Sequence, residues 1–69
     1  MKLSARNQLE GRVTGITEGP ATTIVHLDLR GQQLVASITT EAAQELGLAE
    51  GMDVVAVIKA SDVMVATRD

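Results

Sequence analysis

Apolar and polar residues alternate with a period of two over much of this chain, which is the spacing of strands that bury one face. The first such stretch runs from Asn7 to Thr17, with Leu9 and Val13 on one side. Gly11 and Gly15 fall on that same side, where a glycine permits a bulge or a sharp bend. The pattern therefore predicts a first strand that is strongly coiled.

A hairpin is predicted after this strand. The segment TTIVHLDL, from Thr22 to Leu29, is rich in β-branched residues, and Gln33 to Ile38 alternates in the same way. Arg30-Gly31-Gln32 supplies the turn between them. The only proline of the chain, within residues 18–21, interrupts the pattern and separates the first strand from the hairpin.

One short helix is predicted next, over residues 39–47, because threonines that suit an N-cap precede good helix formers and a closing glycine. Two further β-rich stretches follow, Val54 to Lys59 and Val63 to Ala66. Five strands, with a helix between the third and the fourth, are the order of the OB arrangement. The predicted fold is all-β: a five-stranded, OB-like Greek-key barrel formed by residues 1–69 as a single domain.

The small size of the chain predicts self-association. A domain of 69 residues buries only about 60% of the surface that its unfolded chain exposes. The sequence has no cysteine, one histidine and no aromatic residue, so disulfides, structural metal sites and a large aromatic core are all excluded. Burial of apolar surface between copies of the chain is the remaining source of stability.

Charge and composition exclude several function classes. A formal net charge of −3 and the absence of aromatic residues argue against an OB-type nucleic-acid binder, which needs a basic groove and stacking surfaces. The sequence has neither a secretory signal nor an apolar run of membrane-spanning length, so a cytoplasmic protein is expected. His26 has no recognisable nucleophile near it in sequence, and we do not expect an enzyme.

Hydrogen-bond donors collect at three places that can bind an anion. Ser4-Ala5-Arg6 precedes the first strand, Lys59-Ala60-Ser61 follows the fourth, and Thr39 or Thr40 stands at the start of the helix. Each also has an ordinary interpretation, since surface cations are usually solvated and a threonine before a helix is usually a cap. Spacing alone does not decide between these interpretations.

Three segments of the chain resemble the molbindins, also called Mop proteins: SARNQLEGRVTGI at 4–16, SITTEAAQELGL at 37–48 and VIKASDVMVAT at 57–67. Molbindins are small molybdate-binding proteins with one OB-like TOBE/Mop domain. The resemblance implies a homo-oligomer, a hexamer built as a trimer of dimers. It also implies molybdate or tungstate as the bound ligand at subunit interfaces, with no organic cofactor. From charge and composition we expect no nucleic-acid or membrane partner.

The resemblance further implies which residues bind the oxyanion. Ser4, Ala5 and Arg6 of one subunit would meet Thr39, Lys59, Ala60 and Ser61 of a neighbour. A second oxyanion site would use the loop Gly19, Pro20, Ala21 and Thr22, although Pro20 has no N–H to donate. The expected function is molybdenum storage or homeostasis, and the alternative is an oxyanion-sensing accessory domain of a molybdate transporter or regulator.

Overall fold

A computed structural model describes residues 4–68 as a small all-β domain with one short helix. Its elements are β1 (Asn7–Glu18), β2 (Thr22–Leu29), β3 (Gln32–Thr39), α1 (Thr40–Leu46) and β4 (Asp53–Ile58), followed by a 3₁₀ turn at Ala60–Asp62. The strands form one antiparallel sheet in the order β3-β2-β1-β4. The predicted all-β class and the helix after the third strand are confirmed.

β1 is the central strand and carries a bulge. Its first half pairs with β4 and its second half with β2, and the register shifts between Val13 and Gly15. The extra residue changes the phase of the strand. As a result Ile16 packs with Val13 against the core, whereas Gly15 lies opposite His26. The bulge is the reason that Gly15 does not follow the strict alternation predicted from the sequence.

The core is aliphatic and small. Val13, Val25, Leu27 and Ala56 are each at most 8% exposed, and they come from the three strands β1, β2 and β4. Partly buried side chains such as Leu34 and Ile38 extend this core across β3. With no aromatic side chain present, each core residue contributes a modest area, as the composition predicts.

α1 begins and ends at the residues that its sequence signals indicate. The Thr39 side chain caps the first turn by accepting a hydrogen bond of 3.0 Å from the Ala42 amide. Gly47 ends the helix in the left-handed conformation, with φ of 64°. Only Thr40 and Ala43 of this seven-residue helix are buried. None of the helices within residues 4–68 is long and apolar enough to cross a membrane.

The predicted fifth strand, Val63 to Ala66, does not form within the described chain. The 3₁₀ turn closes with the Val63 amide donating to the Ala60 carbonyl, and the residues beyond it join no strand. Met64 is 95% and Val65 90% exposed. A high β-propensity cannot hold an isolated strand in place, because a strand needs a neighbour to pair with.

The sheet consequently has two free edges, β3 and β4, and an apolar side that is open. A cavity of about 430 Å³ lies on that side, and its lining combines core residues with Ile38, Leu46, Val54 and Val57. Val57 is 42% and Leu46 63% exposed. Residues 4–68 therefore form an open sheet that would need one more strand to become a closed barrel.

Candidate functional site

The sheet brings two of the predicted donor groups together at one end of the β1–β4 pair. Asn7 pairs with Ile58, and the Asn7 side chain donates a hydrogen bond of 3.2 Å to the Ile58 carbonyl. The residue before β1 and the residue after β4, Arg6 and Lys59, are therefore neighbours. We define the strand-end cluster as Ser4, Ala5, Arg6, Lys59, Ala60 and Ser61.

The two cations of this cluster are exposed and make no ion pair within residues 4–68. In that part of the chain the only salt bridge joins Arg12 to Asp53, at 3.3 Å on the sheet surface. Two neighbouring cations without a carboxylate partner repel each other, and an anion between them would remove that repulsion. The hydroxyl of Ser61, on the turn that follows Lys59, adds a neutral donor.

A second group of donors lies at the start of β2. Thr22 pairs directly with Thr39 of β3, and both residues are exposed. Directly opposed residues on adjacent strands have Cβ atoms about 5 Å apart, so their hydroxyls are close neighbours. The Thr39 hydroxyl accepts from the Ala42 amide and keeps its own hydrogen for donation. We define the loop cluster as Ala21, Thr22 and Thr39.

Two of the four predicted loop residues have no amide to offer an anion. The Gly19 amide donates to the Thr22 carbonyl at 3.0 Å, and Pro20 has no N–H. The Ala21 amide and the Thr22 hydroxyl make no hydrogen bond within residues 4–68. The donors available from loop 19–22 therefore include the Ala21 amide and the Thr22 hydroxyl.

Thr39 is separated from the strand-end cluster within one chain. Thr39 lies beside Thr22, at the end of the sheet where β1 finishes, whereas Arg6 and Lys59 lie where β1 begins. β1 has 12 residues, which corresponds to about 40 Å of extended chain. A site that combines Thr39 with Arg6 would therefore take these residues from different copies of the chain.

Two buried threonines brace the loop cluster from inside: Thr23, which the sequence analysis did not assign, and Thr40, which it offered as an alternative to Thr39 for binding the anion. Thr23 is 0% and Thr40 9% exposed, and their hydroxyl oxygens are 2.8 Å apart. Thr40 also donates from its hydroxyl to the Gly19 carbonyl, at 2.7 Å. The alternation of β2 places Thr23 in phase with the core residues Val25 and Leu27, which is the sequence signal that marks it as buried.

Nearly the whole chain matches one protein family. Residues 3–65 match the model of the TOBE domain, and the chain belongs to the TOBE domain family. A probable molybdenum-pterin-binding protein of Haemophilus influenzae is 46% identical over 69 residues, which are 99% of this chain and 100% of that protein. These matches agree with the resemblance to the molbindins, or Mop proteins, that the sequence predicts.

Two solved structures extend the comparison. A molybdate-binding protein from Sporomusa ovata superposes with a TM-score of 0.93 at 37% identity, over 97% of this chain and 100% of that one. The cytoplasmic molybdate-binding protein ModG, solved with molybdate bound, superposes with a TM-score of 0.83 at 46% identity. The match to ModG covers 87% of this chain and 43% of the ModG chain.

Proposed function

We propose that this protein binds molybdate, with tungstate as a second possible ligand, and stores molybdenum in the cytoplasm without catalysing a reaction. The observation that carries the proposal is the strand-end cluster, in which Arg6 and Lys59 are neighbours without a carboxylate partner among residues 4–68. The molybdate named for both solved structures supports the choice of ligand.

The donor types suit a fully deprotonated tetrahedral dianion. Such an anion only accepts hydrogen bonds, and arginine, lysine, serine and threonine side chains all donate them. Phosphate near neutral pH often carries a proton that would need an acceptor. Sulfate matches molybdate in charge and shape but is smaller, so rejection of sulfate depends on the size of the cavity between the donors.

We propose that the complete site forms between subunits of a hexamer, a trimer of dimers. Thr39 lies at the opposite end of β1 from Arg6 and Lys59, so one chain alone does not unite the predicted ligands. The exposed apolar side chains of Met64 and Val65 favour burial against another copy. Molybdate at such an interface would stabilise the assembly by binding only the assembled form.

The same contacts would complete the OB-like barrel. Residues 63–66, Val-Met-Val-Ala, form a continuous apolar run that contains two β-branched valines, and β3 and β4 leave two edges unpaired beside an apolar cavity of about 430 Å³. We propose that residues 63–66 become the fifth strand when they pair with an edge in the assembly. Backbone hydrogen bonds along the edge and apolar side chains in the cavity would both favour this pairing.

Native mass spectrometry of the purified protein, with sodium molybdate and with sulfate and phosphate as controls, tests the proposal directly. We expect discrete molybdate adducts on a hexamer and few adducts with the other two anions. A monomer that retains none of the three anions would contradict both the ligand and the assembly.

Substitution of Arg6 or Lys59 tests the strand-end cluster. We expect Arg6→Ala and Lys59→Ala each to weaken molybdate binding by about tenfold to a hundredfold, because each removes a charge-assisted hydrogen bond. Isothermal titration calorimetry measures the change. Arg12→Ala is the matched control, since it removes one exposed arginine whose surface ion pair with Asp53 contributes little. Equal affinities for all three variants would exclude the cluster as the binding site.

A further inference from the structure

Thr40 makes two of the hydrogen bonds that hold loop 19–22. The Thr40 amide donates to the Ala21 carbonyl at 2.9 Å, and the Thr40 hydroxyl donates to the Gly19 carbonyl at 2.7 Å. A third carbonyl, that of Thr22, accepts from the Gly19 amide at 3.0 Å. Three of the four loop carbonyls are thus bonded within the protein, and two of them are bonded by Thr40.

The direction of the buried hydrogen bonds follows from the count of hydrogens. A threonine hydroxyl has one hydrogen, and Thr40 uses it on the Gly19 carbonyl. In the 2.8 Å contact between the two hydroxyls, Thr23 must therefore donate and Thr40 accept. The chain of bonds runs from Thr23 to Thr40 to Gly19 and leaves no hydroxyl hydrogen of this pair unused.

A loop can bind an anion only if its carbonyl oxygens point into the protein, away from the anion. A carbonyl oxygen carries partial negative charge and would repel an oxyanion, whereas an amide or a hydroxyl attracts it. With the carbonyls of Gly19 and Ala21 held by Thr40, the exposed donors of the loop cluster remain: the Ala21 amide and the hydroxyls of Thr22 and Thr39. These donors are neutral, so their orientation matters more than it does for a cation.

We propose that Thr40 is a positioning residue for an oxyanion bound by the loop cluster, because its amide and hydroxyl turn two loop carbonyls away from the ligand. The inference rests on the proposed function, since molybdate is the oxyanion in question. Thr40 does not touch the ligand, because it is buried behind the loop. Thr23 donates to Thr40 from the other side and makes no hydrogen bond to Gly19 within residues 4–68.

Three variants separate positioning from general stability. Thr40→Val keeps the shape of the side chain and removes the bond to Gly19, whereas Thr40→Ser keeps the hydroxyl. Thr23→Val removes only the donor to Thr40 and leaves the bond from Thr40 to Gly19 in place. Thr40→Val loses both hydroxyl hydrogen bonds and Thr23→Val loses one, so both variants are destabilised, but only Thr40→Val releases the loop carbonyl.

Titration of the amide resonances with sodium molybdate in ¹H–¹⁵N correlation spectra supplies a readout for each cluster separately. In the unchanged protein we expect the Ala21 and Thr22 amides to respond. We expect Thr40→Val to weaken that response about tenfold in apparent affinity, Thr40→Ser to restore it, and Thr23→Val to leave it within about twofold. Thermal unfolding of each variant confirms that it is folded at the titration temperature.

The outcomes distinguish this inference from the proposed function. A response of Arg6 and Lys59 without any response of Ala21 and Thr22 would overturn the loop site and leave the strand-end site standing. Equal weakening by Thr40→Val and Thr23→Val, in proportion to their loss of stability, would show a purely structural role for Thr40 and overturn the inference. No response of any residue to molybdate would overturn the proposed function itself.

Discussion

Some positions in this domain accept only glycine because another part of the backbone lies too close for a side chain, and not because the position is buried. Gly19 stands where the chain turns from β1 into β2, and a Cβ atom placed there would lie 2.7 Å from the Thr22 carbonyl oxygen. No side chain can be added without moving that backbone. Gly15, opposite His26 at the bulge, is different, because the nearest atom to an added Cβ is 3.7 Å away, an ordinary contact distance.

These two glycines give a matched pair of substitutions. We expect Gly19→Ala to lower the free energy of unfolding by about 1–3 kcal/mol, the cost of forcing a methyl group into occupied space. Gly15→Ala should change it by no more than about 1 kcal/mol in either direction. Urea unfolding followed by circular dichroism, at one protein concentration for both variants, measures the difference. A similar decrease in the free energy of unfolding for both variants would show that the backbone of loop 19–22 can shift to admit a methyl group at little cost.

At the scale of elements, α1 is short and depends on its ends. It has seven residues, of which two are buried, so tertiary contacts alone hold it weakly. The Thr39 hydroxyl caps the first turn, and the Gly47 amide donates to the Ala43 and Gln44 carbonyls from the left-handed conformation. An L-residue with a Cβ atom adopts that conformation at a cost of about 1–2 kcal/mol.

Substitution at the C-cap tests this dependence. We expect Gly47→Ala to destabilise the domain by about 1 kcal/mol, and Gly47→Asn to cost less because asparagine tolerates the left-handed region. Nothing lies within 4 Å of an added Cβ at Gly47, so the effect isolates backbone conformation from packing. Differential scanning calorimetry provides the measurement. An unchanged melting temperature for the alanine variant would mean that the end of α1 contributes nothing to folding.

The elements that the sequence predicts well are those whose signals are local. A few neighbouring residues are enough to specify each of these features: the cap and the closing glycine of α1, the turn at Gly31 and the alternation of β2. The phase of β1 after Val13 was missed because a bulge is decided by pairing with β2, at a distance of about 12 residues. The strand at Val63 to Ala66 depends on a partner, and no local signal specifies one.

The candidate site divides in the same way. Donor-rich segments can be read from the sequence, but the pairing of Asn7 with Ile58 joins two strands that are 51 residues apart, and no local signal specifies it. The roles of Thr39 and Thr40 could not be separated from sequence, because both are threonines at the start of one helix. Their difference is a matter of burial: Thr39 is exposed, whereas Thr40 faces Thr23 inside the domain.

At the scale of the whole molecule, the domain is an open sheet with an exposed apolar tail. Met64 and Val65 follow β4 after a single turn, and the sheet has a free strand on each side. In a solitary chain these features serve no packing purpose, and they raise the risk of aggregation. In an assembly they become an interface whose stability depends on protein concentration.

Aspartate substitution in the tail tests the assembly. If the proposed hexamer buries the tail, we expect Met64→Asp and Val65→Asp to dissociate it and to lower the melting temperature, because each would place a charge in a buried interface. Sedimentation velocity measures the dissociation. Ala49→Asp adds the same charge to an exposed loop position between α1 and β4, and should leave the assembly intact. Full-sized assemblies for both tail variants would show that residues 63–66 remain in solvent.

The free edges of β3 and β4 also decide whether the proposed assembly stops growing at a fixed number of chains. A strand exchanged reciprocally between two chains closes a dimer, whereas a strand passed from each chain to the next is a head-to-tail contact, which ends only when the ring closes on itself. If the angle between neighbours changed by a few degrees, the same pairing would continue indefinitely as a filament. In the proposed assembly, a substitution that alters the 3₁₀ turn at Ala60–Asp62, from which the tail leaves the sheet, would therefore convert a closed assembly into a fibre without unfolding any subunit.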